Sequence, residues 1–240
     1  MVRVDAPAKL TLDLRITGRR PDGLHLLEAT MVSVDLADTL SFSDGDALVV
    51  VGDDAVPAGG ENLVVRALDA VGRTAEVHLH KRSPPGSGLG GGSSDAAAVL
   101  RWAGCRDVEV AAALGADVPF CVVGGRARVG GIGERVEPLP FQEGTYTLLT
   151  PPFGCSTEAV YREWDRLGGP TGTGANDLEP AALAVEPSLG AYRDRLGEVS
   201  GATPTLAGSG STWFVEGAFP GEGRQVVRTT PPHDGFAPGG

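Results

Sequence analysis

Between Pro84 and Ser94 the chain reads P-P-G-S-G-L-G-G-G-S-S, with glycine at positions 86, 88, 90, 91 and 92. So few side chains leave many backbone N–H groups open to a ligand. Ser93, Ser94 and Asp95 then offer N-cap and first-turn chemistry to Ala96-Ala97-Ala98-Val99-Leu100, a helix-favouring run. A glycine loop feeding a helix N-terminus gathers backbone donors and the positive end of the helix dipole at one point, which is where a phosphate binds. The spacing is not G-x-x-x-x-G-K-[ST], because no lysine precedes the serines, nor G-x-G-x-x-G after a core strand. Taken alone, the stretch also suits a flexible linker, although a linker does not usually run straight into an alanine-rich helix. Two further groups are weaker candidates. His78 and His80 share one face of a strand without a third metal ligand nearby, and a lone lysine such as Lys9 on a strand is ordinarily a solvated charge.

The elements that must position this loop are readable from periodicity. Val2–Ile16 alternates as a strand with one face buried, and Lys9, Thr11 and Asp13 share the other face. A turn at Pro21-Asp22-Gly23 precedes a strand to Val34 and another ending near Phe42. Residues 44–60 read as an acidic loop with a short strand at Leu48–Val51. Glu61-Asn62 opens a helix with apolar positions at 63, 64, 67, 68 and 71, and Asn62 suits an N-cap. Glu76–Lys81 is a strand leading into the glycine loop. Val122–Glu137 reads as two short strands around a glycine turn, and Tyr146–Pro152 as a strand. Ser156–Leu167 is a helix capped by Ser156 and closed at Gly168-Gly169. A loop at 168–174 and a frayed tail from Thr229 to Gly240 complete the reading.

The composition bounds the classes of function. A chain of 240 residues, 41% hydrophobic, can bury one large core or two smaller ones sharing a cleft. With 31 acidic against 20 basic residues and a net charge of -11, neither nucleic acid nor an anionic membrane is expected as the main partner. A polyanionic substrate must then be met by local donors. The start M-V-R-V-D-A-P lacks a secretory apolar core and no run is long enough to span a membrane, so a cytoplasmic protein is expected. Cys105, Cys121 and Cys155 are odd in number and far apart, which points to free thiols.

The segment P-P-G-S-G-L-G-G-G-S-S-D-A-A-A resembles the phosphate-binding loop of the GHMP kinases. A longer match is more specific. P-A-K-L-T-L, T-G-R-R-P-D-G-L-H, S-V-D-L-A-D, L-G-A-D-V-P-F, N-D-L-E-P and a late G-S-G-S are similar to the motifs of the 4-diphosphocytidyl-2-C-methyl-D-erythritol kinase family. The resemblance implies an α+β GHMP kinase fold of two domains, residues 1–141 and 142–240, with the active site in the cleft between them. It implies ATP as phosphoryl donor with Mg²⁺, the latter held by Ser94 or its neighbours and water, and a cytidine-diphosphate-linked polyol as acceptor, in a monomer or homodimer. Lys9 and Asp117 match the catalytic pair, although Asp117 also suits a turn or cap before Pro119. Pro84, Pro85, Gly86, Ser87, Gly88, Leu89, Gly90, Gly91, Gly92, Ser93 and Ser94 match the nucleotide loop, and Asn62 is a further nucleotide contact or only a cap.

For the cytidyl group the resemblance points to His25, with Thr11 where the family has Asn and Leu24 where it has a stacking Tyr. Tyr161 is the nearest candidate for a second aromatic contact, core packing being the alternative. Gly208–Ser211 would approach the phosphates or simply turn a hairpin. The stretch from Arg101 to Glu109 is shorter than the family's. The same resemblance leaves room for a GHMP kinase acting on another small alcohol, or a nucleotide-binding homologue with impaired catalysis.

Overall fold

The computed structural model describes residues 1–52, 56–169 and 174–234; parts of the loops expected at 44–60 and 168–174, and the last six residues, lie outside them. β1 (Val2–Arg19) runs three residues past the expected Ile16, and β2 (His25–Ser43) is continuous. What reads as two strands up to Phe42 is one, and it pairs with β1 antiparallel from Val2 opposite Phe42 to Arg19 opposite His25. The register shifts between Pro7 and Lys9 and again between Thr11 and Asp13. Such irregularities re-aim side chains. Ala8, Lys9 and Leu10 are all buried, because the glycine loop covers the face expected to be solvated: the Lys9 amide donates to the Leu89 carbonyl at 2.9 Å.

The first sheet continues through β3 (Ala47–Val51), α1 (Leu63–Ala70), β4 (Glu76–His80), α2 (Gly91–Trp102), α3 (Val108–Leu114), α4 (Val118–Val123), β5 (Arg126–Gly131) and β6 (Arg135–Leu139), in strand order β3-β4-β2-β5-β6 with β1 also on β2. One edge of β2 carries β1; the other is shared by β5, along Leu27–Val32, and β4, along Thr39–Ser43. In the gap between them lie Ser33 and Asp38, which bond to Gly125 and Thr230 and to Arg82 and Ser83 respectively. The strand expected from Val122 starts later, since Val122 and Val123 close α4, both buried, with Val122 packed in the first core.

The second sheet is antiparallel and comprises β7 (Thr145–Leu149), β8 (Thr205–Leu206), β9 (Trp213–Glu216) and β10 (Arg224–Arg228), in the order β10-β7-β9-β8. Packed with it are α5 (Thr157–Arg166), α6 (Glu179–Val185) and α7 (Leu189–Ser200), around Val160, Leu178, Leu189, Leu196 and Trp213. A third apolar cluster joins the two halves, bringing Ala8, Leu10, Val32 and Val34 of the first sheet against Leu148, Phe214 and Val227 of the second, with Leu89 between them. The arrangement is α+β, with a cleft where the two halves meet.

The tail expected to fray is held as far as the described residues go. Thr230 donates its amide to Ser33 O at 2.9 Å and His233 to Val123 O at 3.0 Å, so a segment leaving the second sheet is strapped onto the first. Its backbone groups find partners because Gly124 and Gly125 leave room. A Cβ on Gly124 would lie 2.8 Å from the His233 ring.

Candidate active site

Lys9 and Asp117 come together at the floor of the cleft, Nζ to Oδ2 at 3.3 Å, although 108 positions separate them in the chain. Lys9 also donates to Thr11 Oγ1 at 3.1 Å. Asp117 precedes α4, but its side chain makes no capping hydrogen bond; its carboxylate is turned to the lysine. The lysine is 4% exposed, so its ammonium has a fixed direction between the two halves. A buried cation beside a half-open carboxylate can hold a hydroxyl while the carboxylate takes its proton.

The glycine loop lies directly over this pair. The sequence suggests Ser93 or Ser94 as N-cap, but the cap is Gly90, three residues before Ser93 and in a left-handed conformation (φ 68°), so that α2 begins at Gly91. Close approach explains the shift: a Cβ at Gly90 would stand 2.7 Å from Lys9 Cγ. Ser94 is consequently inside the first turn and buried, donating to Pro7 O at 2.7 Å. Leu89, fully buried, is the loop's anchor in the seam between the sheets. Pro84, Pro85, Gly86, Ser87, Gly88, Gly90, Gly91, Gly92 and Ser93 line the cleft, a cavity of about 950 Å³; Leu89 and Ser94 do not.

The late glycine-serine loop packs against the first one. Gly88 (φ 79°) has no room for a side chain, since a Cβ would meet Ala207 O at 2.2 Å, and Thr212 donates to Ser87 O at 3.0 Å. Gly208 and Ser209 reach the cleft, while the turn joins β8 to β9 as a hairpin. The N-D-L-E-P motif braces this loop: Asn176 Nδ2 donates to Leu206 O and Gly208 O at 2.8 and 2.7 Å, and Asp177 accepts from the Ile16 amide of β1 at 2.9 Å.

Both feet of the glycine loop are tied by a buried charge network that the sequence reading missed. Asp38 accepts from the amides of Arg82 and Ser83 at 2.5 and 2.8 Å, and Lys81 Nζ bridges Asp38 and Asp95 at 2.5 and 2.8 Å. Burial alone pushes the Asp38 carboxyl up, but the Lys81 charge and these donors outweigh it and bring it below the usual value. Burial also works against the Lys81 charge, and the two carboxylates reverse it, so the lysine is raised. Asp95 shares the same lysine with fewer donors, and its Oδ1 has no partner; burial takes its carboxyl up to about 7. The signal that could have found the network is the second acid of S-V-D-L-A-D, Asp38, together with a lysine ending a strand just before the loop.

At the other end of the cleft His25 stacks on Tyr161, ring centroids 4.9 Å apart, and meets the edge of Trp164 at 5.5 Å. Burial raises the Tyr161 hydroxyl to about 12. His25 and Tyr161 both line the cleft, as do Thr11, which is buried, and Leu24, which is about half exposed. Asp165, absent from the sequence reading, lies 2.8 Å from His25 Nε2. Asn62 also faces the cleft, but its amide is used locally: Oδ1 caps α1 through the Val64 amide at 2.8 Å and Nδ2 donates to Pro57 O at 2.6 Å. His78 pairs with Glu76 at 2.9 Å, on the strand away from the cleft. The three cysteines are free thiols. Burial pushes Cys121, next to Ser94, up to about 12. Among the described residues no helix is long and apolar enough to cross a membrane.

Residues 62–125 match the model of the GHMP kinases N terminal domain. The chain is 38% identical over 236 residues to a 4-diphosphocytidyl-2-C-methyl-D-erythritol kinase of Paracoccus denitrificans (strain Pd 1222), covering 88% of this chain and 85% of that protein. It is 36% identical over 264 residues to the enzyme of the same name in Granulibacter bethesdensis (strain ATCC BAA-1260 / CGDNIH1), covering 93% and 87%. A crystal structure of 4-(cytidine 5'-diphospho)-2C-methyl-D-erythritol kinase superposes with a TM-score of 0.74 at 30% identity, over 95% of this chain and 99% of that one. A mevalonate kinase structure, at 12% identity and a TM-score of 0.57, shares the fold. With its lysine–aspartate pair set under a glycine loop between two α+β halves, the chain belongs to the 4-diphosphocytidyl-2-C-methyl-D-erythritol kinase family of the GHMP kinases.

Proposed function

We propose that this chain transfers the γ-phosphoryl group of ATP to the 2-hydroxyl of 4-diphosphocytidyl-2-C-methyl-D-erythritol, a step of non-mevalonate isoprenoid precursor synthesis. The observation that carries the reading is the Lys9–Asp117 pair, 3.3 Å apart, beneath the phosphate loop. Asp117 takes the proton of the attacking hydroxyl, and Lys9 stabilises the charge that develops on the oxygens in flight. Phosphoryl transfer asks mainly for positioning and charge stabilisation, and a rigid glycine cradle opposite a fixed lysine supplies both. The polar end that receives the cytidyl group is the His25 and Tyr161 end, with Leu24 at its rim and Thr11 beside Lys9.

Mg²⁺ on the nucleotide needs only one or two protein oxygens besides the phosphates. The donor set fits it. Ser94 has its hydroxyl committed to Pro7, whereas Ser93 presents an oxygen on the cleft wall and would hold the ion together with water. Bound there, it supplies neutralisation of the phosphate oxygens. We place the two domains at residues 1–141 and 142–240, with the strap from Thr229 onward returning to the first, and read the protein as cytoplasmic, a monomer or homodimer.

Turnover with a panel of acceptors tests the reading. The cytidyl substrate is expected to be phosphorylated far faster than mevalonate, homoserine or sugar alcohols. Preference for any of the latter refutes the substrate assignment, and ATP binding without transfer to any acceptor refutes the activity.

A further inference from the structure

We propose that Asp165 is a positioning residue that fixes the hydrogen-bonding sense of His25, and thereby makes the aromatic end of the cleft select a base carrying an exocyclic amine over one carrying a carbonyl at the same place. The proposal rests on the function inferred above, in which a cytidyl group enters this end. Tyr161, Trp164 and Asp165 occupy i, i+3 and i+4 on α5, so they project from one helix face. That face holds the His25 ring on three sides. Tyr161 lies over it with an interplanar angle of 28°, Trp164 meets it edge-on at 89°, and the Asp165 carboxylate receives Nε2 at 2.8 Å.

A ring gripped in this way does not exchange its two nitrogens by flipping. Arg19 lies 3.4 Å from the second oxygen of Asp165, which supplies a counter-charge to the carboxylate. A carboxylate only accepts, so the proton between the two groups belongs to Nε2. When the ring carries that single proton, its lone pair is on Nδ1. Nδ1 has no hydrogen-bond partner among the described residues, and His25 lines the cleft. A lone pair there accepts from the amine of cytosine. The corresponding oxygen of uracil is itself an acceptor and leaves both groups unpaired, the kind of mismatch by which a polar site rejects an analogue.

Asparagine at 165 removes the constraint, because its amide can donate to Nε2 and let the proton sit on Nδ1. The test uses the full chain labelled with ¹⁵N-histidine, with ring-nitrogen shifts recorded free and with CDP or UDP, and affinities for both measured by calorimetry. In the unsubstituted protein His25 is expected to be protonated on Nε2 alone, with CDP preferred. Asp165→Asn is expected to lower the CDP-over-UDP preference by roughly tenfold, the scale of one hydrogen bond, at unchanged melting temperature. Asp165→Glu should restore part of the preference. Arg19→Gln, which leaves the helix intact, should give an intermediate loss and serves if Asp165→Asn does not fold. Protonation on Nδ1 or on both nitrogens, equal binding of CDP and UDP by the unsubstituted protein, or a preference untouched by either variant overturns the proposal. None of these readouts needs turnover, so a failure to phosphorylate the cytidyl substrate would sink the function alone.

Discussion

Replacing Gly90 by alanine perturbs the active site through a single methyl group. Gly90 caps α2 at φ 68°, a left-handed conformation that costs an L-residue with a Cβ about 1–2 kcal/mol. The added carbon would lie 2.7 Å from Lys9 Cγ, 3.0 Å from Cε and 3.5 Å from Cδ, so it presses along most of the lysine stem. That stem has nowhere to go: the side chain is buried and its ammonium is held by Thr11 and Asp117. The backbone strain alone should lower the melting temperature by a few degrees, at about 2–4 °C per kcal/mol for a chain of this size. Displacement of the ammonium should cost far more in rate, on the order of 100-fold in kcat for a shift of about 1 Å. Gly60→Ala, at a position where a Cβ meets nothing within 4 Å, is the control and should leave both unchanged. Steady-state kinetics with a parallel thermal melt decides the matter. A Gly90→Ala protein that loses stability but keeps kcat within about twofold would refute the idea that the loop fixes the lysine.

Two other perturbations act on the loop from below. The Asp95 carboxyl is raised by burial from 3.8 to about 7, so between those values the folded chain holds a proton that the unfolded chain has released. Its contribution is fully present below pH 3.8 and is lost as pH rises to about 7, with a slope of up to about 1.4 kcal/mol per pH unit inside that window and none above it. Asp95→Asn should remove that slope in urea titrations at pH 5, 6, 7 and 8; parallel curves for the two proteins would contradict the assignment. Leu89→Ala empties a fully buried site in the seam between the sheets and should cost about 2–5 kcal/mol. It should also raise KM for ATP, measured at a temperature where the variant is folded, and an unchanged KM would show that Leu89 does not hold the loop.

Much of the site was legible because its parts are local in sequence. Glycine spacing announces a loop that must pass close to other backbone, apolar periodicity after Asn62 announces α1, and Ser156 with Gly168-Gly169 bounds α5. What stayed hidden is long-range. Nothing near Gly90 reveals that Lys9 lies beneath it, so propensity favours a helix start at the serines, the better capping residues. Lys9 itself sits on an alternating strand whose second face is covered by a segment about eighty residues away. The Asp38–Lys81–Asp95 network joins a strand, a loop and a helix, and the His25–Asp165 pair spans the two halves. The strap of the tail depends on Gly124 and Gly125 being small, which no property of the tail discloses. Local chemistry gives elements; which of their faces meet is decided by packing.

The most direct measurement is single-turnover transfer from γ-labelled ATP to 4-diphosphocytidyl-2-C-methyl-D-erythritol by Asp117→Asn protein, with ATP affinity determined on the same sample. Asparagine keeps the shape but cannot take a proton, so transfer should slow by about 10²–10⁴-fold, the range of general base catalysis, while ATP binds as before. Transfer at the unsubstituted rate would contradict the assignment of Asp117 as the base, and with it the account of the cleft.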